Sequence, residues 1–322
     1  MSASSLDNVM VTVLMAVYNG EKYVIPAIDS VLSQTVEEYE FLIIDDGSTD
    51  RSPEILRRFA ALDPRIRLIQ RENRGLVPTL NEGLAQARGK WILRLDHDDI
   101  AYPENIERHL EFIASHPRCV VVGGAFDYID EKGRYLTTIY QPEDNETIQR
   151  MMLCGHNALC DSTLMFDREL AIRVGGYRDE MVLAEDFDLW LRMGEHGELA
   201  NIPVVVAQYR LHTSSVSGKH HARQRQVMQR ACEEAWARRA IAGTFEAPES
   251  WRPGNDRASR MRFALQYGWW AFNSGEWRTA AVYGSRAIAA NPWVSDGYRL
   301  LACALLKRGG RRKDSDCTKT KT

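Results

Sequence analysis

The sequence predicts an α/β fold, a mainly parallel sheet flanked by helices over residues 1–221, followed by a helical C-terminal extension over 222–322. Three observations predict it. Short β-rich runs alternate with helical patterns in the first half, those runs end in polar residues, and from about residue 222 onward the pattern is helical.

Taken in order, "VMVTVLMAVY" (9–18) reads as a strand, and "NGEKYVIPAIDSVLSQT" as a loop and helix with Val24, Ala27, Ile28, Val31 and Leu32 on one face. "YEFLIIDDGSTD" (39–50) is a second buried strand running into two aspartates and a turn. Ser52 as cap and Pro53 at the first position open the next helix. "RIRLIQ" (65–70) and "KWILRLD" (90–96) are the third and fourth strands, separated by the loop and helix "LVPTLNEGLAQARG". A helix over "PENIERHLEFIASHP", the apolar strand "CVVVGGAF" and a hairpin turning at Lys132-Gly133 follow. After about Gln141 the pattern is irregular until a helix in "AEDFDLWLRMGEHG" (184–197) and a strand in "IPVVVAQYRLH" (202–212), closed by the polar "TSSVSGKHH". The extension reads as a helix near 222–242, a Pro/Gly-rich break, and further helices divided at Ser-Gly and Asn-Pro. Its small residues and aromatics at helical spacing resemble one tetratricopeptide-like helical hairpin, and it ends in a basic, flexible tail.

At 322 residues, 44% hydrophobic and 26% charged, the chain is apolar enough to fold and long enough for one large or two ordinary domains. Its apolar runs fall far short of the ~20 residues that cross a bilayer, and the first ten residues lack a basic segment before an apolar core, so a cytoplasmic location is expected. Six cysteines without an export signal predict reduced thiols. "CGHNALC" (154–160) lacks the spacing of a metal-binding pair. Charge is uneven: residues 1–222 carry 22 Lys and Arg against 35 Asp and Glu, and residues 223–322 carry 19 against 9. A basic final third suits peripheral contact with an anionic membrane face, or equally a set of solvated helix faces.

The chemistry concentrates in "LRLDHDD" (93–99), three carboxylates and an imidazole directly after an apolar run. Carboxylates this close repel one another and call for a cation or other partners. Hard oxygen donors favour Mg²⁺ or Mn²⁺, which in turn clamp a diphosphate. A lone D-x-D is a weak signal. Its place at a strand end, downstream of Asp45-Asp46 at another strand end, strengthens it, since open α/β sheets bind ligands beyond the carboxyl ends of their strands.

The ordered segments "VLMAVYNGEKYVIPAIDSVLSQT", "FLIIDDGSTDRS", "ENRGLVPTLNEGLAQARGKWILRLDHDDI" and "YPENIERHLEFI" resemble the successive signatures of the GT-A family 2 glycosyltransferases, over about residues 9–217. The resemblance implies a Rossmann-like GT-A fold, a nucleotide-diphosphate sugar donor (usually a UDP-sugar), a divalent metal and a glycan, lipid-linked or protein acceptor; no nucleic acid partner is expected. Carried over residue by residue, Ala16, Tyr18 and Asp46 line the base and ribose pocket, and Asp96 lies near the ribose or donor sugar. Asp98 ligates the metal, Asp99 contacts sugar or metal-bound water, and His212 is a further metal or diphosphate contact. Arg71 and Arg74 are candidates to pair with phosphate. "LAEDFDLWLRM" resembles the family's Glu-Asp element, so Asp186 matches the general base of an inverting transfer and Glu185 orients or assists it. Ala16 and His97 depart from the family's usual residues, so donor preference does not carry over. The absence of membrane helices and of a Gln-x-x-Arg-Trp element favours addition of a single sugar. A nucleotidyltransferase would open on a Gly-rich phosphate loop, which "AVYNGEKY" is not. A non-catalytic scaffold working through the helical extension is the alternative from a different class.

Overall fold

A computed structural model describes residues 9–212, 221–247 and 256–307. The closing segment "TSSVSGKH", most of the Pro/Gly-rich break and the basic tail lie outside the described residues.

Among the described residues nine strands form one sheet. They are β1 (Val11–Val17), β2 (Glu40–Asp46), β3 (Ile66–Arg71), β4 (Trp91–Arg94), β5 (Ile100–Ala101), β6 (Cys119–Asp130), β7 (Tyr135–Ile139), β8 (Met165–Asp167) and β9 (Glu198–Leu211). The order is β3-β2-β1-β4-β8-β6-β9-β5, with β7 paired to β6. β3, β2, β1 and β4 run parallel, as expected of strands joined by helical crossovers. β8 pairs antiparallel with both β4 and β6, and β5 pairs antiparallel with β9, so an antiparallel flank extends the parallel half.

Alternation along the strands explains why the sheet is covered on both faces. Val11, Val13, Met15 and Val17 of β1, with Phe41 and Ile43 of β2, enter one core; Leu14, Leu42 and Ile44 enter the other. The first core is closed by α1 (Val24–Leu32) through Val24, Ala27, Ile28 and Val31, by α2 (Ser52–Leu62) through Leu56, and by α4 (Asn105–Ser115) through Ile106. The second is closed by α3 (Leu76–Gln86) through Val77, Leu80 and Leu84, and by residues of α5 (Asn145–Leu153), α6 (Arg168–Arg173) and α7 (Glu185–Met193). Each such Val, Leu, Ile, Phe or Met side chain contributes about 1.5–3 kcal/mol on burial.

The amino edge of the parallel strands is sealed. Thr12 Oγ1 donates to Glu40 Oε2 at 2.6 Å, Arg67 Nε to Glu40 Oε1 at 2.8 Å, and the Arg88 and Gly89 amides close onto Glu40 and Thr12. Gly89 is required here, because a Cβ would lie 2.4 Å from the Thr12 backbone nitrogen. Polar groups on that edge satisfy one another.

Two features differ from the sequence reading. Residues 142–175 contain α5, the short strand β8 and α6, each too brief to show a period of its own. Ser52 does not cap α2; it is the first helical residue, and its Oγ accepts from the Gly20 amide at 2.8 Å instead.

The chain divides into two compact units, Met1–Tyr128 with Thr138–Ser250, and Ile129–Thr137 with Trp251–Thr322. The expected boundary at 221/222 therefore shifts, because α8 (His221–Arg239) buries Ala231, Cys232 and Ala235 in the core shared with α5 and α7. In the second unit α10 (Trp277–Ala290) packs against both α9 (Arg257–Asn273) and α11 (Ser295–Leu306). Gly268 admits Leu300 and Tyr283 where a Cβ would collide with them. Within this unit the Tyr283 hydroxyl donates to Asp130 Oδ2 at 2.9 Å, and Arg134 Nε binds the same carboxylate at 2.7 Å. No helix among the described residues is long and apolar enough to cross a membrane. The described cysteines, Cys119, Cys154, Cys160, Cys232 and Cys303, are free thiols.

Candidate active site

The carboxyl edge of β1, β2 and β4 carries the polar loops, and those after β1 and β2 are tied to each other by hydrogen bonds. After β1, Asn19 adopts a left-handed φ of 51°. Its amide donates to Ser48 Oγ and its Oδ1 accepts from the Thr49 amide at 2.8 Å. The Gly20 amide reaches Ser52, the Glu21 amide reaches Asp50 Oδ2, and the Arg51 amide returns to Glu21 Oε2. The loop after β1 is thus laced to the loop after β2. Ala16 sits half-buried opposite Ile44, and Tyr18, just past β1, is 50% exposed, leaving its ring free to meet a planar ligand.

Asp46 ends β2 and is buried. Its Oδ1 accepts from the Arg74 amide at 2.8 Å and its Oδ2 from the Gly75 amide at 2.9 Å, while Arg71 Nη1 pairs with the same carboxylate. Arg71 gives further donors to Glu82 Oε2 at 2.6 Å, Thr79 Oγ1 at 2.8 Å and the Glu72 carbonyl. Four of the five N–H donors of Arg71, a candidate to pair with phosphate, hold the 71–75 loop behind Asp46. Asp45, also buried, accepts from the Ser48 amide and from Gln70 Nε2.

The acidic cluster lies beyond β4. Ligand oxygens of Asp96, Asp98 and Asp99 all fall within 4.8 Å of one another. Three hard oxygen donors converging in this way fit Mg²⁺ or Mn²⁺. His212, directly after β9, comes to the same place, its Nε2 2.7 Å from Asp98 Oδ2. While that nitrogen is bonded to Asp98 it orients the carboxylate, in the manner of an outer partner of a metal ligand. Arg210 braces the turn from the same strand: its amide donates to Asp99 Oδ1 and its Nε to the Asp98 carbonyl, both at 2.7 Å. Burial alone would raise Asp98, but the His212 bond and the charge of His97 bring it below the ordinary carboxylate value. Asp99 goes the other way. Burial first, then Asp98 and Asp96, push it well above the usual range.

Asp186 and Glu185 open α7, where the helix dipole favours acidic groups. Asp186 pairs with Arg94 Nη1, and Arg94 Nη2 binds Asp96 Oδ1 at 3.0 Å, so one guanidinium spans the cluster after β4 and the first turn of α7. Glu185 is only 6% exposed, its Oε2 accepting from the Leu183 amide at 2.7 Å. Burial first, then Asp186, drive it from 4.5 up to about 7. Beside them Asp161 accepts from Trp190 Nε1 at 3.0 Å and is pushed well above the ordinary range by burial and by Asp186. Asp188 points elsewhere, into a buried pairing with Arg178 and Arg192 that locks α7 to the preceding loop.

Of the residues named from the sequence, Asp96, Asp98, Asp99 and His212 come together after β4 and Asp186 joins them through Arg94; Arg94, Arg210 and Asp161 were not named. A readable signal existed for Arg94: a charged residue inside an otherwise apolar strand is costly unless a built site pairs it.

The raised Glu185 has a consequence for stability. Its folded form holds a proton more tightly than the unfolded chain, so stability falls as pH rises from about 4.5 to about 7 and this contribution is flat above that. Glu185→Gln keeps the acceptor for Leu183 and removes the titration. In EDTA, urea unfolding at pH 8 should show the variant more stable by on the order of 1–3 kcal/mol, with the difference shrinking toward pH 5. A variant no more stable at pH 8 than at pH 5, relative to the unmutated chain, would contradict this.

A doubly covered α/β sheet with an acidic cluster at its carboxyl edge puts the chain among the α/β proteins that place ligand-binding groups beyond their strand ends. The chain belongs to glycosyl transferase family 2: the family's sequence profile, "Glycosyl transferase family 2", matches residues 12–175. It is a glycosyltransferase with a GT-A fold. The O-antigen biosynthesis glycosyltransferase WbnJ of Escherichia coli is 30% identical over 219 residues, 67% of this chain and 84% of that protein. Among solved structures, S. aureus TarS (residues 1–349, with UDP-GlcNAc) aligns with TM-score 0.59 and 16% identity over 92% of this chain and 89% of that one. The mannosyltransferase PcManGT of Pyrobaculum calidifontis, with GDP-Man and Mn²⁺, aligns with TM-score 0.54 and 20% identity over 95% and 82%.

Proposed function

We propose that this chain transfers a single sugar, with inversion, from a nucleotide-diphosphate donor (a UDP-sugar foremost) to an acceptor hydroxyl, in the assembly of a surface polysaccharide or related glycan. The observation that carries the reading is Arg94 holding Asp186 beside the Asp96, Asp98 and Asp99 cluster, which sets an acceptor-side carboxylate next to a candidate metal site. Asp98, with Asp96 and Asp99, would hold Mg²⁺ or Mn²⁺, which supplies positive charge to the departing diphosphate. Asp186 takes the proton of the acceptor hydroxyl as its oxygen bonds to the anomeric carbon and the bond from that carbon to the diphosphate breaks. Tyr18 and Ala16 accommodate the base, and Asp46 shapes that pocket by fixing the 71–75 loop. Glu185 holds Leu183 and the entry of α7 in place.

The UDP-GlcNAc of one structural neighbour and the GDP-Man with Mn²⁺ of the other support a sugar nucleotide and a divalent ion; the O-antigen role of WbnJ supports a glycan acceptor, lipid-linked or protein-bound. We place the enzyme in the cytoplasm, with its basic helical part, which exposes Trp293, meeting an anionic membrane face. Thermal shift against UDP-, GDP-, dTDP- and CMP-sugars tests the donor. One class should raise the melting temperature in Mn²⁺ and not in EDTA, because binding to the native state stabilises it by mass action. No shift with any of them would overturn the reading.

A further inference from the structure

We propose that Arg94 is the positioning residue that fixes Asp186, the acceptor-side carboxylate, against the donor-side cluster; the inference rests on the reading of Asp186 as base. Arg94 ends β4 and is 4% exposed, so its guanidinium has no freedom to follow solvent. It is also the ion-pair partner that Asp186 shows among the described residues. The pairing joins elements far apart in sequence, β4 and α7, and it converges on a short span: Nη1 on Asp186, Nη2 on Asp96. A planar fork is suited to that double duty, whereas a lysine offers one point charge and can hold one carboxylate well or two poorly.

The surroundings argue against a merely neutralising role. Asp161 and Glu185 also lie near Arg94, but Trp190 Nε1 holds Asp161 and the Leu183 amide holds Glu185. If charge balance alone mattered, the guanidinium would serve any of these carboxylates. Both of its hydrogen-bonded carboxylates are instead the ones assigned to the reaction. Asp96 is 38% exposed and can be hydrated by solvent or paired with a bound cation, while the Asp186 side chain is 14% exposed and has Arg94 as its ion-pair partner. Loss of Arg94 should therefore displace Asp186 more than it disturbs the donor side.

The test is a double-mutant cycle of Arg94→Gln and Asp186→Asn, with calorimetric affinity for UDP and GDP in Mn²⁺ and release of nucleoside diphosphate from the sugar nucleotide that the unmutated chain turns over, water serving as acceptor. Arg94→Gln should lower kcat by about 10²-fold, the usual cost of a displaced catalytic group, with nucleotide affinity and donor KM within about threefold. Arg94→Lys should recover part of that loss. In the Asp186→Asn background the Arg94→Gln effect should shrink to less than about threefold, since residues acting as a unit are not additive. Multiplicative effects, or nucleotide affinity falling in step with kcat, would overturn the inference while leaving the base assignment standing. Normal turnover in Asp186→Asn would instead overturn the base assignment. If Arg94→Gln does not fold, Arg94→Lys and the double variant, which removes both charges of the pair, carry the same comparison.

Discussion

Asp98→Ala should abolish the Mn²⁺-dependent rise in melting temperature with the nucleoside diphosphate and lower transfer by at least roughly 10³-fold, the scale of several kcal/mol of charge stabilisation on a leaving group. The fold should survive. Asp98 lies beyond the end of β4 with a side chain 20% exposed, and its removal relieves part of the repulsion that pushes Asp99 upward. A structural explanation is available and separable, because Asp98 also receives the His212 ring at 2.7 Å. Asp98→Asn keeps an oxygen for that hydrogen bond and loses the negative charge. If Asp98 serves the cation, the asparagine variant should be as inactive as the alanine; if it serves only to seat His212, asparagine should restore turnover. Full activity and an intact Mn²⁺ response in Asp98→Ala would remove the metal assignment.

The sequence made the carboxyl edge legible for a physical reason. A buried parallel strand is a run of apolar residues, so the point where it leaves the sheet is marked by abrupt polarity, as at Asp45-Asp46 and Asp96. The residues after such a point need not be near each other, yet topology forces the ends of β1, β2 and β4 together. Partnerships were harder to read. Arg71 reads in the sequence as a candidate partner for phosphate, and only the adjacency of β2 and β3 shows that it faces Asp46. Ser52 had the composition of a cap, but the loop after β1 competes for its hydroxyl. His212 is more than a hundred residues from Asp98, and what joins them is β9 running antiparallel beside β5, a strand of two residues with no pattern of its own. The span holding α5, β8 and α6 was opaque because each element is shorter than the window in which periodicity can be counted.

Asp186→Asn should bind nucleotide and Mn²⁺ as the unmutated chain does and lose transfer by about 10²–10⁴-fold, the range for removal of a general base. Two adjacent carboxylates compete for this role, and their surroundings separate them. Glu185 is turned inward onto the Leu183 amide, with burial and Asp186 raising it to about 7, so near neutral pH a large share of it carries a proton and cannot accept another. Asp186 is ion-paired with Arg94 and reaches toward the cluster after β4 rather than into the core. Being on consecutive positions of a helix, they leave it about 100° apart, so one acceptor hydroxyl cannot address both equally. The two isosteric variants should therefore diverge: Glu185→Gln within about tenfold of normal turnover, Asp186→Asn far below it, with nucleotide affinity equal in both. If Glu185→Gln is instead the inactive one, the base is the buried carboxylate, and the Arg94 pairing then serves to keep Asp186 out of the reaction.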